Sequence, residues 1–159
     1  MTGDFTDFVR AQWPPLVRTA VFLGCSLPDA EDVVQTALMR AYRSWSKVSA
    51  AADPTAYTFK IMLNTLTRSR QRRWHGELAT GEAHDHVADD AVSTVDRRDE
   101  LLRLLARLPR EQQEVLVLRY VADLTEAQTA AALGIPAGTA KSRTARALAV
   151  CQKLHEEAR

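Results

Sequence analysis

The sequence predicts an all-α chain made of two small helical domains joined by a flexible linker. Three observations carry this reading. Apolar residues recur at i, i+3 and i+4 spacing in both halves of the chain. The composition is rich in Ala, Leu, Arg and Glu and holds only six Gly in 159 residues, which favours helix over sheet. Between the periodic halves, HGELATGEAHDHVADDAVSTVD (75–96) has little periodicity and few large apolar groups, too few to offset the entropy of ordering it. The expected organisation is a first domain over 1–76, an acidic linker over 77–96 and a second domain over 97–159.

Composition narrows the class. Apolar residues make up 46% of the chain, as in a globular protein. No apolar run reaches the length of a membrane span, so no membrane insertion is expected. The opening MTGDFTDFVR carries acids where a secretion signal needs bases. Cys25 and Cys151 sit far apart inside apolar helical patterns, and read as small buried groups in a reduced, cytoplasmic setting. The net charge of +1 conceals an asymmetry. Residues 1–74 hold ten Lys/Arg against six Asp/Glu, residues 75–96 hold no base and six acids, and residues 97–159 hold eleven bases against eight acids. Two mildly basic segments flank an acidic one.

In the first half, Phe5, Val9, Trp13, Leu16, Val17, Ala20 and Val21 mark a helix that Pro14 and Pro15 are expected to break or kink near Trp13. A second helix is predicted from Pro28–Asp29, with Asp29 as its cap and a buried stripe of Ala30, Val34, Ala37, Leu38, Ala41 and Trp45. A loop, SKVSAAAD (46–53), leads to Asp53–Pro54, a cap followed by proline at the first helical position. That third helix carries Tyr57, Phe59, Leu63 and Leu66 into a basic end, RSRQRRW (68–74). In the second half, RRDELLRLLARL is a leucine-rich helix stopped by Pro109, and REQQEVLVLRYV follows as another. Thr125 and Gln128 match a capping box, Gly134 a left-handed helix stop, and Pro136 a restart leading into a helix from about Ala137 to Glu156.

Helix, tight Gly-containing turn and basic helix, from Leu124 to Leu154, fit a helix-turn-helix. Ala127, Ala130 and Ala131 are small, as a close crossing requires, and Ala140, Ala147, Leu148, Cys151 and Leu154 would face the core. Thr139, Lys141, Ser142, Arg143 and Arg146 fall largely on the other side of the recognition helix, where Lys and Arg can pair with phosphates or guanine edges. The plainer alternative is a helical hairpin whose cations are merely solvated. The run Arg68, Arg70, Arg72 and Arg73 beside Trp74, with Lys60 and Asn64 upstream, offers charge for phosphates and a ring for unpaired bases. A solvated helix end also favours cations, and an Asn64 among apolar neighbours also reads as a satisfied structural amide.

The sequence shows no catalytic constellation: no Ser/His/Asp set, no paired buried carboxylates and no phosphate-cradling Gly loop. His84, Asp85 and His86 with His75, and Cys151 with His155, have ligand-like spacing. A zinc site needs four fixed ligands with supporting contacts, so no metal, no cofactor and no enzymatic activity are expected.

Taken together, the blocks resemble a known family. AEDVVQTALMRAYRSW (30–45), DPTAYTFKIMLNTLTRSRQRR (53–73), LPREQQEVLVLRYVADLT (108–125) and LGIPAGTAKSRTARAL (133–148) are similar, in that order, to signatures of extracytoplasmic-function sigma factors of the sigma-70 superfamily. The chain looks like the actinobacterial branch of that class. The resemblance implies a σ2-like helical bundle and a σ4-like helix-turn-helix domain acting in transcription initiation. Asp32 and Gln35 occupy the positions that bind a coiled coil on the β′ subunit of core RNA polymerase. Asn64 matches the family's base-contacting Asn at the −10 element of promoter DNA, with Lys60, Arg68, Arg72 and Arg73 on phosphates. Thr139, Lys141, Ser142, Arg143 and Arg146 would read the −35 element, and the second domain would touch the β flap. The family also implies an anti-sigma partner. Three departures stand out: Thr36 replaces the usual Glu, Gln128–Thr129 replace Glu-Ile, and Pro14–Pro15 disturb the first helix. The competing reading is an ordinary helix-turn-helix regulator that dimerises through its first half on a palindromic site; it leaves Asp32, Gln35 and the basic run without a role.

Overall fold

A computed structural model describes residues 2–76 and 93–158. Among them the chain forms α1 (Thr2–Phe22), α2 (Leu27–Arg43), α3 (Trp45–Ala50), α4 (Pro54–Gly76), α5 (Ser93–Ala106), α6 (Arg110–Leu116), α7 (Glu126–Leu133) and α8 (Ala137–Glu157), with a π-helical turn over Val117–Val121 after α6. No strand occurs among the described residues. Most of the segment read as a linker lies outside the described residues, and α5 opens within it at Ser93.

Helix α2 shows how local chemistry and long-range chemistry divide the work. Its cap is Ser26, whose side chain accepts from the Asp29 backbone N–H at 3.3 Å. The expected cap, Asp29, is instead turned toward α4, where its carboxylate pairs with Arg73 at 2.7 Å. The predicted stripe of Ala30, Val34, Ala37, Leu38 and Ala41 is buried, joined by Val33. Trp45 belongs to α3, not α2, and meets Phe5 and Phe8 of α1 with ring centroids 5.2 Å apart in each pair. The loop expected over 46–53 is therefore largely this short helix, held in place by the fully buried Val48.

The break expected at Pro14–Pro15 is absent, since α1 is helical from Thr2 to Phe22. A proline inside a helix costs on the order of 3 kcal/mol. Leu16, Thr19 and Ala20 follow the pair directly and are wholly buried, so continuing the helix seats them in the core. Helix α4 starts as expected: Asp53 accepts from the Ala56 backbone N–H at 3.0 Å, and Pro54 occupies the first turn.

In the second half the capping box is complete. Thr125 accepts from the Gln128 N–H at 3.0 Å, and the Gln128 side chain accepts from the Thr125 N–H at 2.9 Å. Gly134 ends α7 with φ +68°, the left-handed conformation that glycine adopts without a Cβ penalty. The buried side of α7 is Thr129, Ala130 and Ala132, so Ala127 and Ala131 lie outside rather than at the crossing. On α8, Ala140, Thr144 and Ala147 are buried while Leu148 is 44% exposed, against the expectation that it faces the core. The seam between α7 and α8 is thus narrower than the pattern implied, and small residues fill it.

This packing ranks two substitutions. Phe59→Ala, which empties a fully enclosed site, is expected to lower unfolding stability by about 3–5 kcal/mol, whereas Leu148→Ala changes it by less than about 1 kcal/mol. Urea denaturation followed by circular dichroism measures both; similar midpoints for the two variants would refute the assigned burial.

Candidate nucleic-acid and polymerase interfaces

On α4, Lys60, Asn64, Arg68 and Arg72 are all exposed and recur every fourth residue. Each step of four residues turns about 40° around the helix, so the four wind slowly along about 18 Å of one surface. Neither Arg68 nor Arg72 takes part in an ion pair among the described residues. Their neighbours do the opposite. Arg70 donates to the Leu23 carbonyl at the end of α1, and Arg73 pairs with Asp29. Two arginines therefore pin the end of α4 to the bundle while Arg68 and Arg72 project; Trp74, 68% exposed, lies on another side of the helix, since residues two apart do not face each other. Asn64 faces solvent, which sets aside its reading as a satisfied buried amide.

The recognition helix α8 presents Lys141, Ser142 and Arg146 openly and Thr139 half-buried. Ser142 donates to the Thr139 carbonyl at 3.2 Å, and Arg146 Nη2 donates to Ser142 Oγ at 3.2 Å. These three residues form one connected polar edge. Arg143 stands apart from it: half-buried, it pairs with Glu111 of α6 at 3.0 Å. Helical geometry puts Gly138, Ser142, Ala145 and Ala149 along the middle of the exposed face, all exposed. The small residues there leave the helix backbone open to solvent. Sequence reasoning overlooked Gly138 and Ala145 because it searched for charge.

A third face lies on α2. Asp32 and Gln35 are exposed as expected, and so is Thr36. Between them on the helix projection lies Met39, 52% exposed, a residue the sequence reading passed over. Its signal was an apolar side chain at a polar position of the helical period. Tyr42, one turn on, is 55% exposed and leans on Phe5 at 4.8 Å.

Other chemistry is sparse. No cluster of three potential metal ligands occurs among the described residues. Of the ligand-like groups, His84, Asp85 and His86 lie outside the described residues, while His75 and His155 are exposed. Burial raises Cys25 to about 11, with Asp29 adding to the shift and Arg73 and Arg110 opposing it. Burial likewise raises Cys151 and Glu114, the latter opposed by Arg110 and Arg143. No described helix is long and apolar enough to cross a membrane. A groove of about 470 Å³ between α5 and α8 has Leu101, Leu104 and Leu154 in its lining with Arg97, Arg103 and Arg107.

Comparison with known families decides what this arrangement is. The family Sigma-70 region 2 matches residues 8–76, and Sigma-70, region 4 matches residues 98–151. The chain belongs to the sigma-70 family. It is 36% identical over 154 residues to the RNA polymerase sigma-E factor of Streptomyces avermitilis, spanning 97% of this chain and 84% of that protein. It is 30% identical over 159 residues to the ECF RNA polymerase sigma factor SigM of Mycobacterium tuberculosis, spanning 97% and 80%. In three dimensions it matches the sigma factor RpoE of Bartonella quintana, solved in complex with the anti-sigma factor NepR. That likeness has a TM-score of 0.79 and 27% identity and covers 98% of this chain and 99% of the other. This sigma factor is thus of the extracytoplasmic-function class and serves in transcription initiation. The region 2 match over the first half removes the rival reading of that half as a dimerisation domain.

The raised thiol gives a signed pH dependence. A thiol ordinarily ionises near 8.5, so the folded sigma factor disfavours the Cys25 thiolate that the unfolded chain accepts. The stability this confers is present in full below the ordinary thiol value and is lost as pH rises toward about 11. At pH 9, alkylation of Cys25 should run roughly 75-fold slower in the folded chain than in denaturant. Equal rates by mass spectrometry, with Cys25→Ser as the blank, would contradict the burial.

Proposed function

We propose that this sigma factor binds core RNA polymerase through the exposed face of α2, holds the opened −10 strand along α4, and reads the −35 element with α8. The observation that carries most weight is the division of labour on α4. Lys60, Asn64, Arg68 and Arg72 project, whereas Arg70 and Arg73 secure the helix. Cations winding along one strip of a helix match a single-strand backbone, and an amide among them suits an unpaired base. Opening a few base pairs costs several kcal/mol, and a base captured outside the stack returns part of it while its identity is read.

Asp32, Gln35 and Met39 form the docking face for the β′ coiled coil, with Met39 as the apolar anchor and the polar pair as its rim. Thr139, Lys141, Ser142 and Arg146 meet the −35 groove, and Arg143 joins them once Glu111 releases it. The arginine-rimmed groove between α5 and α8 is available to the β flap. The factor works in the cytoplasm without cofactor, metal or catalytic activity of its own, and an anti-sigma protein restrains it.

Purified chain added to core polymerase should direct run-off transcription from defined fragments of a genomic promoter library. Asn64→Ala is expected to slow strand opening at such a promoter by about tenfold while leaving binding to closed duplex unchanged. Permanganate footprinting and gel shifts separate the two steps, and an unaltered opening rate would take Asn64 out of the site. Met39→Asp should weaken core-polymerase binding by about tenfold or more without lowering the melting temperature. Intact binding with a lowered melting temperature would make Met39 a structural residue.

A further inference from the structure

Arg40 of α2 reaches across to the charged strip on α4. It is half-buried, and its Nη1 donates to the Thr65 hydroxyl at 3.1 Å. Thr65 in turn donates to the Ile61 carbonyl at 2.7 Å and is 2% exposed. A hydroxyl that has given its proton to a carbonyl keeps its lone pairs for a donor, so the two bonds together fix where the guanidinium lies. The other N–H groups of that guanidinium have no hydrogen bond and no carboxylate partner among the described residues.

The position of Thr65 decides what Arg40 adds. Thr65 lies between Asn64 and Arg68 along the axis of α4. Around that axis it is turned only about 20° from Arg72 and about 60° from Arg68. Residues three apart on a helix have Cβ atoms about 5–6 Å from each other, so the Arg40 fork stands beside Arg68. One edge of the strip thus gathers Arg40, Arg68 and Arg72, and none of them has an ion-pair partner among the described residues. On the same edge of α2, Asp29 lies about three turns earlier and is held by Arg73, and Thr36, one turn before Arg40, is neutral. Like charges that a fold holds together without a counter-ion favour an anion supplied from outside.

We propose that Arg40 contacts a backbone phosphate of the opened −10 strand, next to the base held at Asn64. This rests on the assignment of that strand to α4, and adds to the same site a residue from a second helix. A plainer role exists, because Arg40 stands in the last turn of α2, where a cation favours the helix dipole. That effect needs only charge near the last carbonyls, and Arg43 in the same turn supplies it. It does not need a guanidinium bonded across to α4. For a phosphate the bond to Thr65 is useful in itself. A fork fixed before the strand arrives avoids the entropy loss of ordering a long side chain on binding.

The test uses holoenzyme made from the full chain and core polymerase, bound at several salt concentrations to a forked promoter fragment that is single-stranded over the −10 element. Arg40→Met should weaken binding about fivefold and lower the salt slope by about 0.7, the share of one phosphate on a single strand. Arg40→Lys should restore the slope, because the charge remains although the fork is lost. Thr65→Val removes the anchor with little change of shape, so affinity should fall about twofold with the slope intact. An unchanged slope for Arg40→Met overturns the proposal, and a lowered melting temperature beside it would make Arg40 a strut between α2 and α4. Asn64→Ala separates the two levels of the argument. If it weakens binding to the fork and Arg40→Met does not, the assignment of Arg40 alone falls; if neither does, the reading of α4 falls with it.

Discussion

Helix α4 is wedged among four neighbours: α1, α2 and α3 from its own half and α7 from the other. A surface helix ordinarily buries an apolar stripe a little over 100° wide. Here Ala56, Thr58, Phe59, Met62, Leu63, Thr65 and Leu66 are all buried, so most of the circumference of the middle turns is covered. Thr58 and Thr65 are tolerated in that setting because their hydroxyls donate back to the carbonyls of Pro54 and Ile61, at 2.8 Å and 2.7 Å. Only a narrow winding strip remains open, and it holds Lys60 and Asn64 before widening into the arginine-rich end. The core that gives the first half its fold therefore also dictates where the exposed Lys60, Asn64, Arg68 and Arg72 stand and how they are spaced.

Charge pairing then sorts otherwise similar arginines. A guanidinium tied to a buried carbonyl or a partly buried carboxylate is structural, while one left in solvent keeps its hydrogen-bonding fork for phosphate. Arg70 and Arg73 belong to the first kind and Arg68 and Arg72 to the second. Arg143 is intermediate. Its partner Glu111 is mostly exposed, and a pair of that kind is worth no more than about 1 kcal/mol, so Arg143 can leave the carboxylate at little cost. Glu114, kept from ionising easily by burial, lies within the field of the same arginine and of Arg110. The flank of α8 is thus held by weak, exchangeable contacts.

Much of this was legible from residue order, because its causes are local. Asp53–Pro54 begins α4, Thr125 and Gln128 open α7, and Gly134 closes it, each through bonds made within a few residues. What stayed hidden has distant causes. Asp29 looked like a cap, but a partner 44 positions away in sequence claimed its carboxylate and left the cap to Ser26. The Pro14–Pro15 pair looked like a break until burial of the following turn outweighed it. Val48 gave no periodic signal, since α3 has only six residues, yet its side chain organises the approach to α4. Met39 and Leu148 were misjudged by the same rule applied in opposite senses. The first was passed over on a polar face and the second assigned to the core, although both stand in solvent. The seam between the halves has no sequence period at all.

That seam ties the two halves into one buried apolar cluster, which runs from Leu16, Leu23 and Phe59 into Leu105, Val117 and Leu118. Parting the halves would return apolar surface to water on both sides, so each half contributes to the stability of the other. The seam leaves the charged strips free, because Lys60, Asn64, Arg68 and Arg72 of α4 and Lys141, Ser142 and Arg146 of α8 all stand exposed while the halves are packed.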